Sequence, residues 1–327
     1  MAQECVLHTK VCDLLHIKYP IVGGAMMYLS NAQLVAAVSE AGGLGVLASA
    51  IYRTKEEFAT EIRKIKSLTK QPFAVNLNLF PAMRPIDNRS YLDVIEGEGV
   101  KIVETSGHEL PEELAKDIKS AGLTWMHKCA AVKHAVRAQR LGADAVTVVG
   151  YENGGATGKF DVTTLVLVPA TKEAVSVPVI GGGGVCDGRG LAALLALGAD
   201  GVIIGSRLLL TNECGLHPKT QQVLLEASVY DTCLVMKSIG MTHRVLRNKA
   251  AEKVLEIEAR GGGFEELVPY IIGEQTKKVY FGGEVDAGML YVSQAVGLMK
   301  DVRPVKDVIS QMVDEACRIF ARFAPQP

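Results

Sequence analysis

The sequence has no excess of charge, no long apolar run and no paired cysteine pattern, and each lack removes a class of protein. Lysine and arginine number 35 against 36 aspartates and glutamates, for a net charge of -1. With no long basic run, nucleic acid or an anionic membrane is not expected as the main partner. The first residues, MAQECVLHTKVCDLLHIKYP, hold no apolar stretch long enough for a signal peptide or a membrane span. The seven cysteines are scattered and odd in number, which reads as reduced thiols in a cytoplasmic protein. Cys214 and His217 have no second pair of ligands nearby, so no metal is expected. One further lack is local. In GYENGGATG, Gly150 to Gly158, nothing from Asn153 onward can give or take a proton near neutral pH.

Glycine, by contrast, is plentiful. It supplies 33 of 327 residues, above the usual share of about 7%, and the excess falls at the ends of apolar runs. Apolar residues make up 48% and charged residues 22%, enough for a substantial core in one large domain, alone or with a smaller appendage. LGADAVTVVG (141–150) recurs as LGADGVIIGS (197–206), the mark of a repeated βα unit. The same unit gives eight strands, at 20–25, 44–49, 73–78, 101–106, 124–129, 145–150, 177–182 and 201–206. They are continuous apolar runs, as in a parallel sheet covered on both faces, and helical patterns separate them. Eight βα repeats in about 210 residues predict a TIM (β/α)8 barrel over 1–218; a doubly wound sheet is the alternative. Residues 219–300 lack βα spacing and predict a smaller, mainly helical module over the barrel mouth. Residues 301–327 predict an amphipathic helix docking on the barrel through Val308, Ile309, Met312 and Ile319.

Barrel chemistry sits at the carboxyl ends of the strands. Four glycines after the seventh strand (Gly181 to Gly184) and Gly205-Ser206 after the eighth predict a phosphate cradle in which backbone N–H groups bind a dianion. GRGLAA, 188–193, fits a weak dinucleotide pattern but lies in a helix start with no acid at the expected spacing. The other strand ends offer small residues at Gly24 and Ala25, an amide at Asn76 and a cation at Lys128. Lys128 also reads as an ion-pair partner of Glu104 or Glu152. In combination these residues point to FMN, with Lys128 favouring the negatively charged reduced ring.

These pieces resemble the nitronate monooxygenases (2-nitropropane dioxygenases), closest in pattern to the bacterial NADH:quinone reductases of that group and, more distantly, to flavin-dependent enoyl-acyl-carrier-protein reductases. The matching stretches are YPIVGGAM, AAVSEAGGLGVLAS, PFAVNLNL, MHKCAAVKHA, VPVIGGGGVCDGRGLAALLALGADGVIIGSRLLLTNEC and EARGGG. The resemblance implies that Gly24, Ala25 and Met26 line the flavin ring and that Asn76 meets its edge. It places Lys128 and Gly154 at the ring or ribityl chain, and Gly182, Gly183, Gly184, Gly205 and Ser206 at the phosphate. The departure is the glycine loop. The family's catalytic histidine corresponds to Ala156 here, and Asn153 stands where a small or sulfur residue is common.

A methyl group abstracts no proton, but hydride transfer from NADH or NADPH needs no base at this point. The expected activity is therefore FMN-dependent hydride transfer between NAD(P)H and a quinone, enone or α,β-unsaturated thioester. The alternatives are nitronate oxidation with the base moved to His127 or His243, and an inactive flavin-binding relative. Met27, Phe80 and Tyr280, with Met83, are expected to wall the pocket for a small-molecule substrate. Arg84 and Arg247 are candidates for a phosphate of CoA or a dinucleotide. The expected assembly is a monomer or homodimer.

Overall fold

Strand after strand, the apolar runs form the staves of a closed parallel barrel. The computed structural model describes residues 7–80, 86–107 and 110–323; Met83 and Arg84 lie outside the described residues. The staves are β1 (Ile21–Gly23), β2 (Leu44–Ala48), β3 (Phe73–Asn78), β4 (Ile102–Ser106), β5 (Thr124–Cys129) and β6 (Ala145–Val149). A two-residue strand outside the barrel follows, β7 (Gly155–Ala156), and then β8 (Val179–Gly182) and β9 (Gly201–Ile204) complete the ring. Val22 of β1 pairs with Ile203 of β9 and closes it. The eight-stranded barrel expected from the repeats is the fold observed.

Side chains alternate across each stave. Val22, Val46, Ala74, Ile102, Met126, Ala145, Ile180 and Ile203 fill the interior, where Val11, Cys12 and Leu15 from the helix Lys10–Leu15 join them. An added Cβ on Gly201 would meet Val11 at 3.3 Å, which puts that helix under the amino ends of the strands. The opposite parity, including Leu47, Val75, Val103, Trp125, Val148 and Val202, packs beneath the outer helices. Local signals fix those helices. Thr54 accepts from the Glu57 amide at 3.1 Å, and Glu57 accepts from the Thr54 amide at 3.3 Å, before the helix Lys55–Leu68.

Beyond the barrel, β10 (Thr232–Val235) and β11 (His243–Leu246) pair antiparallel, and β11 also pairs with β7. Helices Lys249–Ala259, Phe264–Ile271 and Gly273–Gly282 accompany this small sheet. Val235, Val245, Ala251, Val254, Leu267 and Met289 form a separate core there. The module is mainly helical, as expected, with a three-stranded sheet that the sequence reading left out. The helix Val305–Phe323 buries Val308, Ile309 and Met312 and lies against the helix Gly188–Ala196. Cys12, Cys129, Cys186, Cys214 and Cys233 are buried free thiols. Cys317 is disulfide-bonded, which corrects the reading of all seven cysteines as reduced. No helix among the described residues is long and apolar enough to cross a membrane.

Candidate active site

Two residues further along three staves, the barrel filling turns from apolar to polar. Ala74, Ile102 and Met126 are followed on the same inward parity by Asn76, Glu104 and Lys128. Glu104 is wholly buried. Its Oε1 accepts from Asn76 Nδ2 at 2.6 Å and lies 3.3 Å from Lys128 Nζ. Asn76 Nδ2 also donates to Ser106 Oγ at 3.2 Å, so both of its amide hydrogens are used. Glu104 Oε2 and Thr147 Oγ1 are buried without a hydrogen-bond partner among the described residues. The pairing of Lys128 with Glu104, one of the two alternatives open in the sequence, is thus made, and Glu104 joins the site as its buried carboxylate. His127, one residue earlier, points out of the barrel by parity. Its Nδ1 lies 2.8 Å from Thr105 Oγ1, which also accepts from Trp125 Nε1 at 2.8 Å. It does not face the mouth.

The glycines after β8 and β9 crowd against one another and against the loop after β6. An added Cβ on Gly182 would lie 2.3 Å from Ile203 Cγ2. One on Gly183, at φ +101°, would lie 2.6 Å from Thr164 Oγ1 and 3.0 Å from the Gly150 amide. Gly184 also has a positive φ. Gly205 differs, for the nearest atom to its added Cβ is Met26 Sδ at 3.9 Å. Ser206 Oγ accepts from the Ser293 amide at 2.8 Å and still carries its own O–H. Thr164 ties this region together, its hydroxyl lying 2.9 Å from Glu152 Oε2 and 3.0 Å from the carbonyls of Gly182 and Gly183. Gly183→Ala should therefore lower stability by about 1–2 kcal/mol through its left-handed backbone alone. Urea denaturation of the flavin-free protein checks this, and a midpoint equal to wild type would show that the loop has another conformation.

Loop 150–158 follows the carboxyl end of β6 and carries β7. Glu152 accepts from the Thr164 amide at 2.9 Å at the start of the helix Thr164–Ala174, which is a structural task. Asn153 Nδ2 donates to the Ala156 carbonyl at 2.9 Å. Gly154 is pressed against Val292 and Ser293, 2.6 Å from a backbone carbon by its added Cβ. The same construction puts Gly158 2.7 Å from the Ala130 methyl, two residues past Lys128. Ala156 then pairs with His243 of β11. On the far side, Arg244 donates from Nε and Nη2 to the Tyr151 carbonyl, with its guanidinium 4.5 Å from the centre of the Tyr151 ring.

After β1, the Gly24 amide donates to the Ile204 carbonyl at 2.8 Å, and Ser30 Oγ takes the Met26 amide at 2.8 Å. Ala25 is half-buried against the interior cluster, and Met27 is exposed. Phe80 is half-buried, its amide 3.4 Å from Asn78 Oδ1. Tyr280 is buried in the main core with its ring edge-on to Phe281. Arg247 is exposed, its amide donating to the Asp231 carbonyl. Sequence reasoning missed the parts played by Thr164 and Ser293, whose partners lie far along the chain. Strand parity could have found Glu104, since it stands in phase with Asn76 and Lys128.

Comparison with known proteins completes the description. A family model described as nitronate monooxygenase matches residues 8–91 and 84–315. A protein of Mycobacterium tuberculosis (strain ATCC 25618 / H37Rv) is 38% identical over 350 residues, covering 95% of this chain and 96% of its own. It is named (3aS,4S,5R,7aS)-5-hydroxy-7a-methyl-1-oxo-octahydro-1H-indene-4-carboxyl-CoA dehydrogenase. The protein of the same name from Rhodococcus jostii (strain RHA1) is 34% identical, covering 95% and 96%. Among solved structures, FabK from Thermotoga maritima superposes with a TM-score of 0.88 at 32% identity, covering 97% of this chain and 98% of that one.

Proposed function

Because the chain belongs to the nitronate monooxygenase family, whose members are flavin-dependent oxidoreductases, we propose that it is an FMN-dependent enzyme passing a hydride between NAD(P)H and an α,β-unsaturated acyl thioester. The observation that carries this reading is Ala156. It stands in the loop that follows the carboxyl end of β6, the barrel end at which the polar residues Asn76, Glu104 and Lys128 and the glycines after β8 also lie. The residues proposed to hold a flavin accompany it, while the group at this position handles no proton.

The cradle fits a phosphate. At Gly205 a Cβ would meet no atom of the chain closer than 3.9 Å, so the space beside it suits a ligand. Gly182, Gly183, Gly184 and Ser206 complete the phosphate site, and Gly24, Ala25 and Met26 supply the small surface for a flat ring, with Gly154 beside it. Asn76 has committed both amide hydrogens to Glu104 and Ser106, so the atom it can offer a ring edge is Oδ1, an acceptor. Lys128 contributes a positive charge that Glu104 partly neutralises. When bound, FMN takes a hydride from a reduced nicotinamide and passes it to an electron-poor carbon. The chain's own work is to orient both partners and to exclude water. Met27 and Phe80 remain the candidates for shaping the acyl pocket, whereas Tyr280, buried in the main core, does not. Two relatives named as dehydrogenases of a carboxyl-CoA favour the thioester over the quinone.

Anaerobic mixing tests the reading. NADH or NADPH should bleach the bound flavin, and an α,β-unsaturated acyl-CoA should restore its colour faster than a quinone or propionate 3-nitronate does. Bleaching that only the quinone reverses would replace the thioester with a quinone. Nitronate turnover without any reduction by NAD(P)H would replace hydride transfer with nitronate oxidation.

A further inference from the structure

Three lysines and an exposed aromatic ring meet at the carboxyl end of the barrel. Helix Val132–Arg140 follows β5, and loop 157–163 follows β7 on the way from β6 to the next helix. Both therefore start from the end of the strands where barrel chemistry sits. Lys133 stands in the first turn of its helix, with Nζ 4.9 Å from the centre of the Phe160 ring. Phe160 is still 53% exposed, so the ring keeps a face open to solvent. The turn between β10 and β11 comes up beside this loop. Lys237 Nζ lies 3.7 Å from Asp161 Oδ2, and Lys159 Nζ would be 3.5 Å from a Cβ on Gly240. The Thr157 amide donates to the Thr242 carbonyl at 3.2 Å and ties the two segments together.

Charge and backbone both set this patch apart. Asp161 offsets one ammonium group, while Lys133 and Lys159 make no ion pair among the described residues. Glu258, from the helix Lys249–Ala259, spends its two oxygens on the Met236 and Ser238 amides at 2.9 and 2.8 Å, so its carboxylate is committed to holding the turn. Asp161 at φ +48° and Met236 at φ +62° are two of the four non-glycine residues with a left-handed backbone among the described residues. That conformation is an outlier for a side chain as bulky as methionine, and such strain gathers at active sites and ligand clamps.

An open aromatic face flanked by unpaired amines matches a purine that stacks on the ring and phosphates that meet the ammonium groups. We propose that Phe160, Lys133 and Lys159, with Lys237, form a subsite for an adenosine carrying phosphates, the end shared by coenzyme A and NAD(P)H. The assignment rests on the hydride-transfer reading for its choice of ligands. Its position suits the long arm of an acyl-CoA. A Cβ on Gly158, two residues before Phe160, would lie 2.7 Å from the Ala130 methyl, two residues past Lys128. The pantetheine arm separates the acyl carbon from the adenosine, so the adenosine belongs at the rim and not on the polar floor.

Calorimetric titration of the FMN-loaded full chain with coenzyme A, ADP, NAD+ and NADP+ tests this without turnover, since none of the four reduces the flavin. Wild type should bind at least one, more weakly as salt rises. Phe160→Ala should raise the dissociation constant roughly 5–100-fold, the usual cost of losing a base–aromatic stack, and Phe160→Trp should restore it. Lys133→Glu/Lys159→Glu should raise it at least about tenfold, because like charges then face the phosphates. These side chains are exposed, and thermal unfolding of each variant should match wild type. A loss for coenzyme A alone assigns the subsite to the thioester, a loss for the nicotinamide nucleotides alone assigns it to the reductant, and a loss for both makes it shared. The preference for an acyl-CoA over the same acyl group on pantetheine should collapse in Phe160→Ala if the thioester uses the site. Wild-type affinity in every variant, or no binding by wild type, would overturn the subsite. A loss confined to the lysine variant would reduce the patch to an unspecific charged surface, such as an acidic protein could use, and overturn it too. If the nucleotides bind through Phe160 but NAD(P)H does not bleach the flavin, the subsite stands and the hydride-transfer reading alone fails.

Discussion

Gly205→Asp should yield a folded protein that purifies without flavin colour. The backbone there has φ -122° and ψ -66°, so no left-handed conformation is required, and a Cβ has room beside Met26 Sδ. The new carboxylate would stand where the phosphate is proposed to bind. Two unit charges of like sign 4 Å apart repel by about 4 kcal/mol at an effective dielectric constant of 20, roughly a thousandfold in affinity. Flavin absorbance per protein and an FMN titration of the flavin-free form measure the loss. Thermal unfolding of that form should match the flavin-free wild type, and Gly205→Ser, which adds a donor, should stay yellow. Stoichiometric FMN in Gly205→Asp would move the phosphate site elsewhere, and FAD in the wild type would change the cofactor.

Lys128→Met should cost more in stability than in any other property. Glu104 is fully buried and, among the described residues, keeps only Asn76 as an Oε1 partner once the lysine is gone. Removing one member of a buried pair costs about 3–5 kcal/mol, because the remaining charge is uncompensated. Restoring neutrality with Glu104→Gln/Lys128→Met should recover most of that stability, the non-additivity expected of groups in contact. The flavin's midpoint potential separates the two roles of the lysine. If Lys128 also stabilises the negatively charged reduced ring, both the single and the double variant should have a lowered potential, although only the single one is unstable. A potential equal to wild type in the double variant would confine Lys128 to its pairing with Glu104. A single variant as stable as wild type would mean that Glu104 is not charged in the folded protein.

The barrel was legible because its staves are buried on both faces. AVTVV and GVII have no polar alternation to confuse them with surface strands, and glycine ends the runs where the cradle begins. The small sheet was not legible, for a physical reason. HRVL is four residues long, and its partner Gly155–Ala156 is two residues long and lies far upstream. No local periodicity encodes such a pair, so the juxtaposition of His243 and Ala156 exists only in the tertiary structure. Of the two histidines open as a relocated base, parity alone separates His127 from the mouth, because Lys128 beside it points inward.

The amide of Gly188 begins the helix after the glycine cradle, and it donates to Glu315 Oε2 at 2.8 Å across 127 positions of chain. An added Cβ at Gly188 would lie 2.5 Å from the Met312 carbonyl, so the two helices touch along their backbones. A ribosome adding about 5–20 residues per second delivers Glu315 roughly 6–25 s after Gly188. Through that interval the nascent barrel has the glycine loop proposed to hold a phosphate but not the contact that secures the helix behind it. Firm cofactor capture is thus expected only after the carboxyl-terminal helix emerges, and flavin scarcity in a cell would be felt by finished chains, as a pool of colourless protein awaiting its ligand.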